Sequence, residues 1–149
     1  MIHRKAGPDG SGYNVKADLH ILDKGVLMFD HIGIRASDRE ASEAFFLRAL
    51  APLGVSVAMK GPHGVGLGKN GKPSLWIYES DERPVALHLA FTAQDRGQVD
   101  AFHRAAIEAG GRDNGPPGLR SHYHPNYYAA FVIAPDGHNV EAVCHLPGG

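Results

Sequence analysis

The chain has 149 residues, of which 43% are hydrophobic and 21% charged, with a net charge of −1 when histidines are neutral. That is enough for one domain with a sizeable core. The balance offers no basic footprint for nucleic acid, and no apolar run nears the roughly 20 residues a membrane helix needs. The single cysteine, Cys144, rules out a disulfide within the chain and fits a reducing cytoplasm. Histidine, with ten copies, is the residue type that stands out.

Residues 1–25 are polar and aperiodic, without the apolar stretch of a signal peptide, and read as an N-terminal extension. A single domain is expected over 26–149. "VLMFDHIGI", Val26 to Ile34, has the branched and aromatic content of a strand. Ser37 with Glu40 makes a capping-box pattern, and Ala44, Phe45, Leu47, Leu50 and Leu53 recur at helical spacing. A helix over about 38–52 is therefore expected, stopped at Gly54. "VSVAMK", "HGVGLGK" and "PSLWIYE" read as three short strands.

The same order then returns. "VALHLAF" is a strand, Asp95 with Gln98 caps a second helix, and Val99, Phe102, Ala106 and Ile107 form its apolar side. Gly110-Gly111 ends it. A Gly- and Pro-rich loop is expected next, with 111–114 too polar for a strand. "YYAAFVIA" and "HNVEAVCH" are strands joined by a "PDG" turn. The halves align without gaps at a shift of 57 residues (31 to 88): His31 falls on His88, Asp38 on Asp95, Arg39 on Arg96, Phe45 on Phe102 and Gly54 on Gly111. Helix chemistry does not demand a histidine at the same strand position, so the pattern indicates a duplicated βαβββ unit (about 26–80 and 84–146).

With its paired modules, strand-borne His31 and His88, and the closing "YYAAFVIAPDGHNVEAVCH", the chain resembles the vicinal oxygen chelate superfamily. That group includes glyoxalase I, extradiol dioxygenases, and fosfomycin- and bleomycin-resistance proteins. The resemblance implies an α+β fold in which two paired βαβββ modules form an open, cup-shaped mixed β-sheet. It also implies a divalent metal (Fe, Mn, Zn or Ni) held by His31, His88 and Glu141, and a homodimer, since related cups are often completed across subunits. The fourth family position departs from the pattern. Aligned through Gly71 and Gly137, Glu141 falls opposite Leu75, and a one-residue slip puts Trp76 there instead; neither binds metal.

Two imidazoles and one carboxylate suit a divalent first-row metal with open positions for two adjacent substrate oxygens. Glu141 lies between Val140 and Ala142, where a buried carboxylate needs a partner. Plain strand histidines and a solvent-facing Glu141 are the competing readings. "LRSHYHPNYY" supplies the expected pocket wall. Arg120 would take a substrate anion, His124 would act as acid or base, and Tyr123 or Tyr128 would donate to a substrate oxygen. His122, in an HxH pair with His124, and Trp76 complete the substrate-binding set. A cupin-like use of that HxH pair lacks its glutamate, because Tyr128 stands there. His138 is expected to be exposed, Cys144 to be a buried small hydrophobe, and His145 to be a reserve ligand.

Two functions follow. One is a metal-dependent small-molecule enzyme of glyoxalase or dioxygenase type. The other is a metal-free protein that sequesters an aromatic drug or metabolite. No nucleophile elbow, P-loop or dinucleotide fingerprint is present. A small molecule is the expected partner, with nucleic acid and membrane excluded.

Overall fold

The computed structural model describes residues 28–148, and the described residues from His31 onward form one compact unit. The extension read over residues 1–25 lies outside the described residues.

Each half builds one four-stranded mixed sheet and one helix. The first sheet contains β1 (Ile32–Ala36), β2 (Ser56–Gly61), β3 (Gly64–Lys69) and β4 (Lys72–Glu79), in the order β1-β4-β3-β2. The second contains β5 (His88–Thr92), β6 (Arg112–Leu119), β7 (Tyr128–Ile133) and β8 (Asn139–Cys144), in the order β5-β8-β7-β6. In both, the first strand runs parallel to the last and the remaining pairs are antiparallel. The two-module βαβββ fold with open sheets is thus present, each module contributing one four-stranded mixed sheet.

Helix α1 (Arg39–Leu50) follows β1, and α2 (Arg96–Glu108) follows β5. Asp38 caps α1 by accepting from the Ala41 N–H at 2.9 Å, so the cap sits one residue after the Ser37 of the expected box. Ser37 is used between modules instead: its hydroxyl donates to Asp136 Oδ1 (2.5 Å) and its N–H to Oδ2 (3.1 Å). Asp95 caps α2 as expected, accepting from the Gln98 N–H at 2.8 Å. A 3-10 turn (Ala51–Leu53) continues α1 to Gly54, whose φ of 80° ends the run.

Strand alternation divides each sheet into two faces. Ile34, Ala36, Val65, Leu67, Leu75 and Ile77 of the first sheet face the helices, as do Leu89, Ala130, Val132, Val140, Ala142 and Cys144 of the second. All join Phe45, Phe46, Leu50, Val99 and Phe102 in one continuous buried cluster. Cys144 is buried, as its apolar strand implied. The helix-facing sides of both sheets therefore share a core, and the opposite faces are left for chemistry.

Two expectations are corrected. The Gly/Pro-rich stretch read as a loop is strand β6, which pairs with β7 alone and carries register shifts at Asp113/Gly115 and Gly115/Gly118. Prolines cannot donate to a ladder, and an edge strand with bulges is where they are tolerated. His138 is 1% exposed rather than exposed, because the chain folds over it and the Leu87 N–H donates to its Nδ1 at 3.0 Å.

Candidate functional site

The outer face of the second sheet carries the charged chemistry. His88 opens β5, and Glu141 lies on β8 opposite Ala90. Although Glu141 is on the outer face, it is 1% exposed. Burying a carboxylate is costly unless its oxygens are satisfied, and here both are. The Tyr127 hydroxyl donates to Oε1, and His88 Nε2 lies 2.9 Å from Oε2.

The network extends further. Asn114 Nδ2 donates to Asn139 Oδ1 at 3.1 Å, which leaves the Asn139 amide nitrogen to donate to His88 Nδ1 at 2.9 Å. His88 Nε2 then carries the proton and points it at Glu141. The side chains therefore hold the carboxylate from two sides. Desolvation, followed by the hydrogen bond to Glu141, pushes the Tyr127 phenol up to about 12, so it remains a donor through the neutral range.

His88, Asn139 and Glu141, with Tyr123, Tyr127 and Phe131, line a cavity of about 350 Å³. Its wall is aromatic. Tyr123 and Tyr127 meet edge-on at 5.1 Å, and the His88 ring stacks on Phe131 at 6.3 Å. The Arg120 guanidinium lies 5.4 Å from the Phe131 ring centre and donates to the Pro116 carbonyl at 2.7 Å. It therefore buttresses the wall from outside the cavity lining.

The other expected site residues divide by position. Tyr123 lines the cavity, and His122 packs on Tyr123 at 4.1 Å. His124 is exposed, and its Nδ1 accepts from the Asn126 N–H at 3.1 Å within the loop. His145 meets Tyr127 edge-on at 5.1 Å. Tyr128 turns to the helix side: its hydroxyl donates to Asp100 at 2.7 Å and Arg96 lies over its ring at 5.1 Å. It cannot reach a ligand of Glu141, because neighbouring residues near a strand point to opposite faces. Tyr127 takes the donor role, and the sequence signal for it was the tyrosine pair itself.

Trp76 is on the first sheet. β1 and β4 pair Gly33 with Trp76, as β5 and β8 pair Ala90 with Glu141. Gly33 and Ala90 are equivalent under the shift of 57 residues (33 to 90), so Trp76 rather than Leu75 occupies the position of Glu141. Its ring stacks on Tyr78 at 6.0 Å, nearly parallel at 8°.

Catalytic metal sites generally take three protein donors. Among the described residues no three His, Cys, Asp or Glu side chains gather in one place. His88 and Glu141 are of the right type and in contact, whereas His31 directly precedes β1 on the other sheet. One chain therefore fits a metal by donor chemistry but brings two donors together, not three.

The fold recurs among solved structures. A glyoxalase/bleomycin resistance protein from Albidiferax ferrireducens T118 is 28% identical and matches 81% of this chain and 100% of its own, with a TM-score of 0.70. A glyoxalase-related enzyme from Fulvimarina pelagi is 21% identical over 80% of this chain and 88% of its own, TM-score 0.62. The oxidase ChaP-H2 is 23% identical over 83% and 97%, TM-score 0.60. No protein-family model and no curated protein matches the sequence. The likeness to the vicinal oxygen chelate superfamily thus holds in three dimensions, and the chain has that superfamily's fold. Its named neighbours are glyoxalase, bleomycin resistance and dioxygenase proteins.

Proposed function

We propose that the chain is a small-molecule enzyme of the glyoxalase/dioxygenase kind that works as a homodimer with a divalent metal. The observation that carries this reading is the contact of His88 with a fully buried Glu141 at an aromatic cavity, with His31 at the repeat-equivalent place on the other sheet. His88 and Glu141 of one copy and His31 of a second copy would hold the metal, the two outer faces meeting as a cup. Such a metal would polarise two adjacent oxygens of a bound substrate. Tyr127 holds the carboxylate in one orientation; a metal on His88 Nε2 would replace the proton there, and the Asn139 amide would turn so that its oxygen accepts from Nδ1. Tyr123 and Phe131 form the wall against which an apolar part of the substrate would rest.

A second reading is a metal-free protein that binds an aromatic compound in the same cavity. It is favoured by the hydrogen-bond network, which satisfies Glu141 with side chains alone. Elemental analysis of the purified protein beside a His88→Ala variant separates the two. Near-stoichiometric metal, lost in the variant, supports the enzyme. Iron or manganese would favour redox chemistry, and zinc or nickel a Lewis-acid isomerase or lyase. A protein that stays empty after reconstitution leaves the binding reading.

A further inference from the structure

The first module holds a separate cavity of about 320 Å³, lined by Arg35, Arg39, Pro62, His63, Tyr78 and Glu79. We propose that it binds a small oxyanion, the carboxylate or phosphate of a metabolite, through Arg35 and Arg39. Arg35 and Tyr78 lie on the first sheet's outer face, the one that would meet a second copy in the proposed dimer, so this reading needs no metal but shares that face with the proposed cup.

Three observations support it. Two guanidiniums face one carboxylate around this cavity, and neither makes a hydrogen bond or an ion pair among the described residues. An oxyanion is the group that a guanidinium fork matches best.

Arg39 is also the first residue of α1, where the helix macrodipole disfavours a cation. Helix stability therefore does not account for it. Finally, the repeat provides an internal comparison. Arg96, the counterpart of Arg39, opens α2 and has the Tyr128 ring at 5.1 Å, with Gly148 packed against its guanidinium. In the second module the chain covers this arginine; in the first the same arginine lines an open cavity. Arg35 lies 6.0 Å from the Tyr78 ring centre, and Tyr78 continues into the Trp76 stack, a flat apolar surface beside the charge.

The test is calorimetric titration with sodium phosphate and, separately, sodium benzoate, each against sodium chloride at matched ionic strength. NMR of the arginine Nε–H signals accompanies it. Saturable binding of either anion above the chloride response is expected. Arg39→Gln should weaken it about ten-fold or more, as loss of one charge-assisted contact implies. Arg35→Gln should act in the same direction. The surface control Arg104→Gln should leave affinity unchanged. Preference for phosphate assigns a phosphorylated ligand; preference for benzoate assigns an aromatic or apolar acid lying toward Trp76. The proposal is overturned if neither anion exceeds chloride, or if Arg104→Gln weakens binding as much as Arg39→Gln. Melting curves of both pocket variants establish that they fold.

Discussion

The two modules have the same strand order and the same inward faces, yet their outer faces differ in kind. The second presents a buried carboxylate held by His88 and Tyr127. The first, at the equivalent position, presents Trp76 stacked on Tyr78, with arginines beyond it. The core that every copy needs lies on one set of alternating residues, and the chemistry lies on the other. A duplicated unit can therefore lose a ligand from its outer face without any change in packing. Leu75 and Val140, equivalent through their partners Ile32 and Leu89, both face the core.

The helix ends sharpen the same comparison. Gly54 and Gly111 are repeat equivalents, but a Cβ on Gly54 meets nothing within 4 Å, and the residue is needed for its φ of 80°. A Cβ on Gly111 would lie 2.4 Å from Val132 Cγ1 and 2.9 Å from Phe45 Cε2, where the two modules pack. Gly111→Ala should cost about 1–3 kcal/mol through overpacking. Gly54→Ala should cost roughly 1 kcal/mol through its left-handed backbone. Urea denaturation midpoints measure both. Equal costs would mean that the inter-module contact at Gly111 yields freely.

Tyr127 offers a finer probe of the second face. Its folded pKa of about 12 exceeds its ordinary 10.0, so the folded state binds more protons between these values. The stabilisation is fully present below pH 10 and is lost as pH rises through about 12. Beside Tyr128, whose hydrogen bond to Asp100 also raises its phenol, an ultraviolet titration should show a late-ionising component from Tyr127. That component should vanish in Tyr127→Phe, and the variant's melting temperature should fall less steeply in alkali than the native one.

Much of this was legible in the sequence because hydrophobic periodicity and turn residues are local signals. The order of elements, the Asp95 cap and the buried setting of Cys144 follow from them. The departures arose where a contact distant in sequence decides. Pro116 and Pro117 read as loop, since only the position of β6 at an edge makes them tolerable in a strand. The choice between Leu75 and Trp76 turned on unequal hairpins. Asn70-Gly71, both at positive φ, close the first in two residues, while the second turns through Pro135–Gly137 and is longer. Aligning turn glycines therefore shifted the register by one. The donor role was read onto Tyr128 rather than Tyr127 because adjacent tyrosines take opposite faces, and only the paired strand fixes which is which. His31, His88 and Glu141 were legible as residue types. That one chain joins only two of them is a property of how the sheets pack.

In the proposed dimer two copies share each site, and subunit mixing tests this most directly. Chains carrying His31→Ala and chains carrying His88→Ala are purified separately, combined into hybrid dimers, and assayed for bound metal. If each cup takes His31 from one copy and His88 with Glu141 from the other, every hybrid regains one intact site of its two, although both parents bind none. Hybrids as empty as their parents, beside a metal-loaded native protein, would contradict the account.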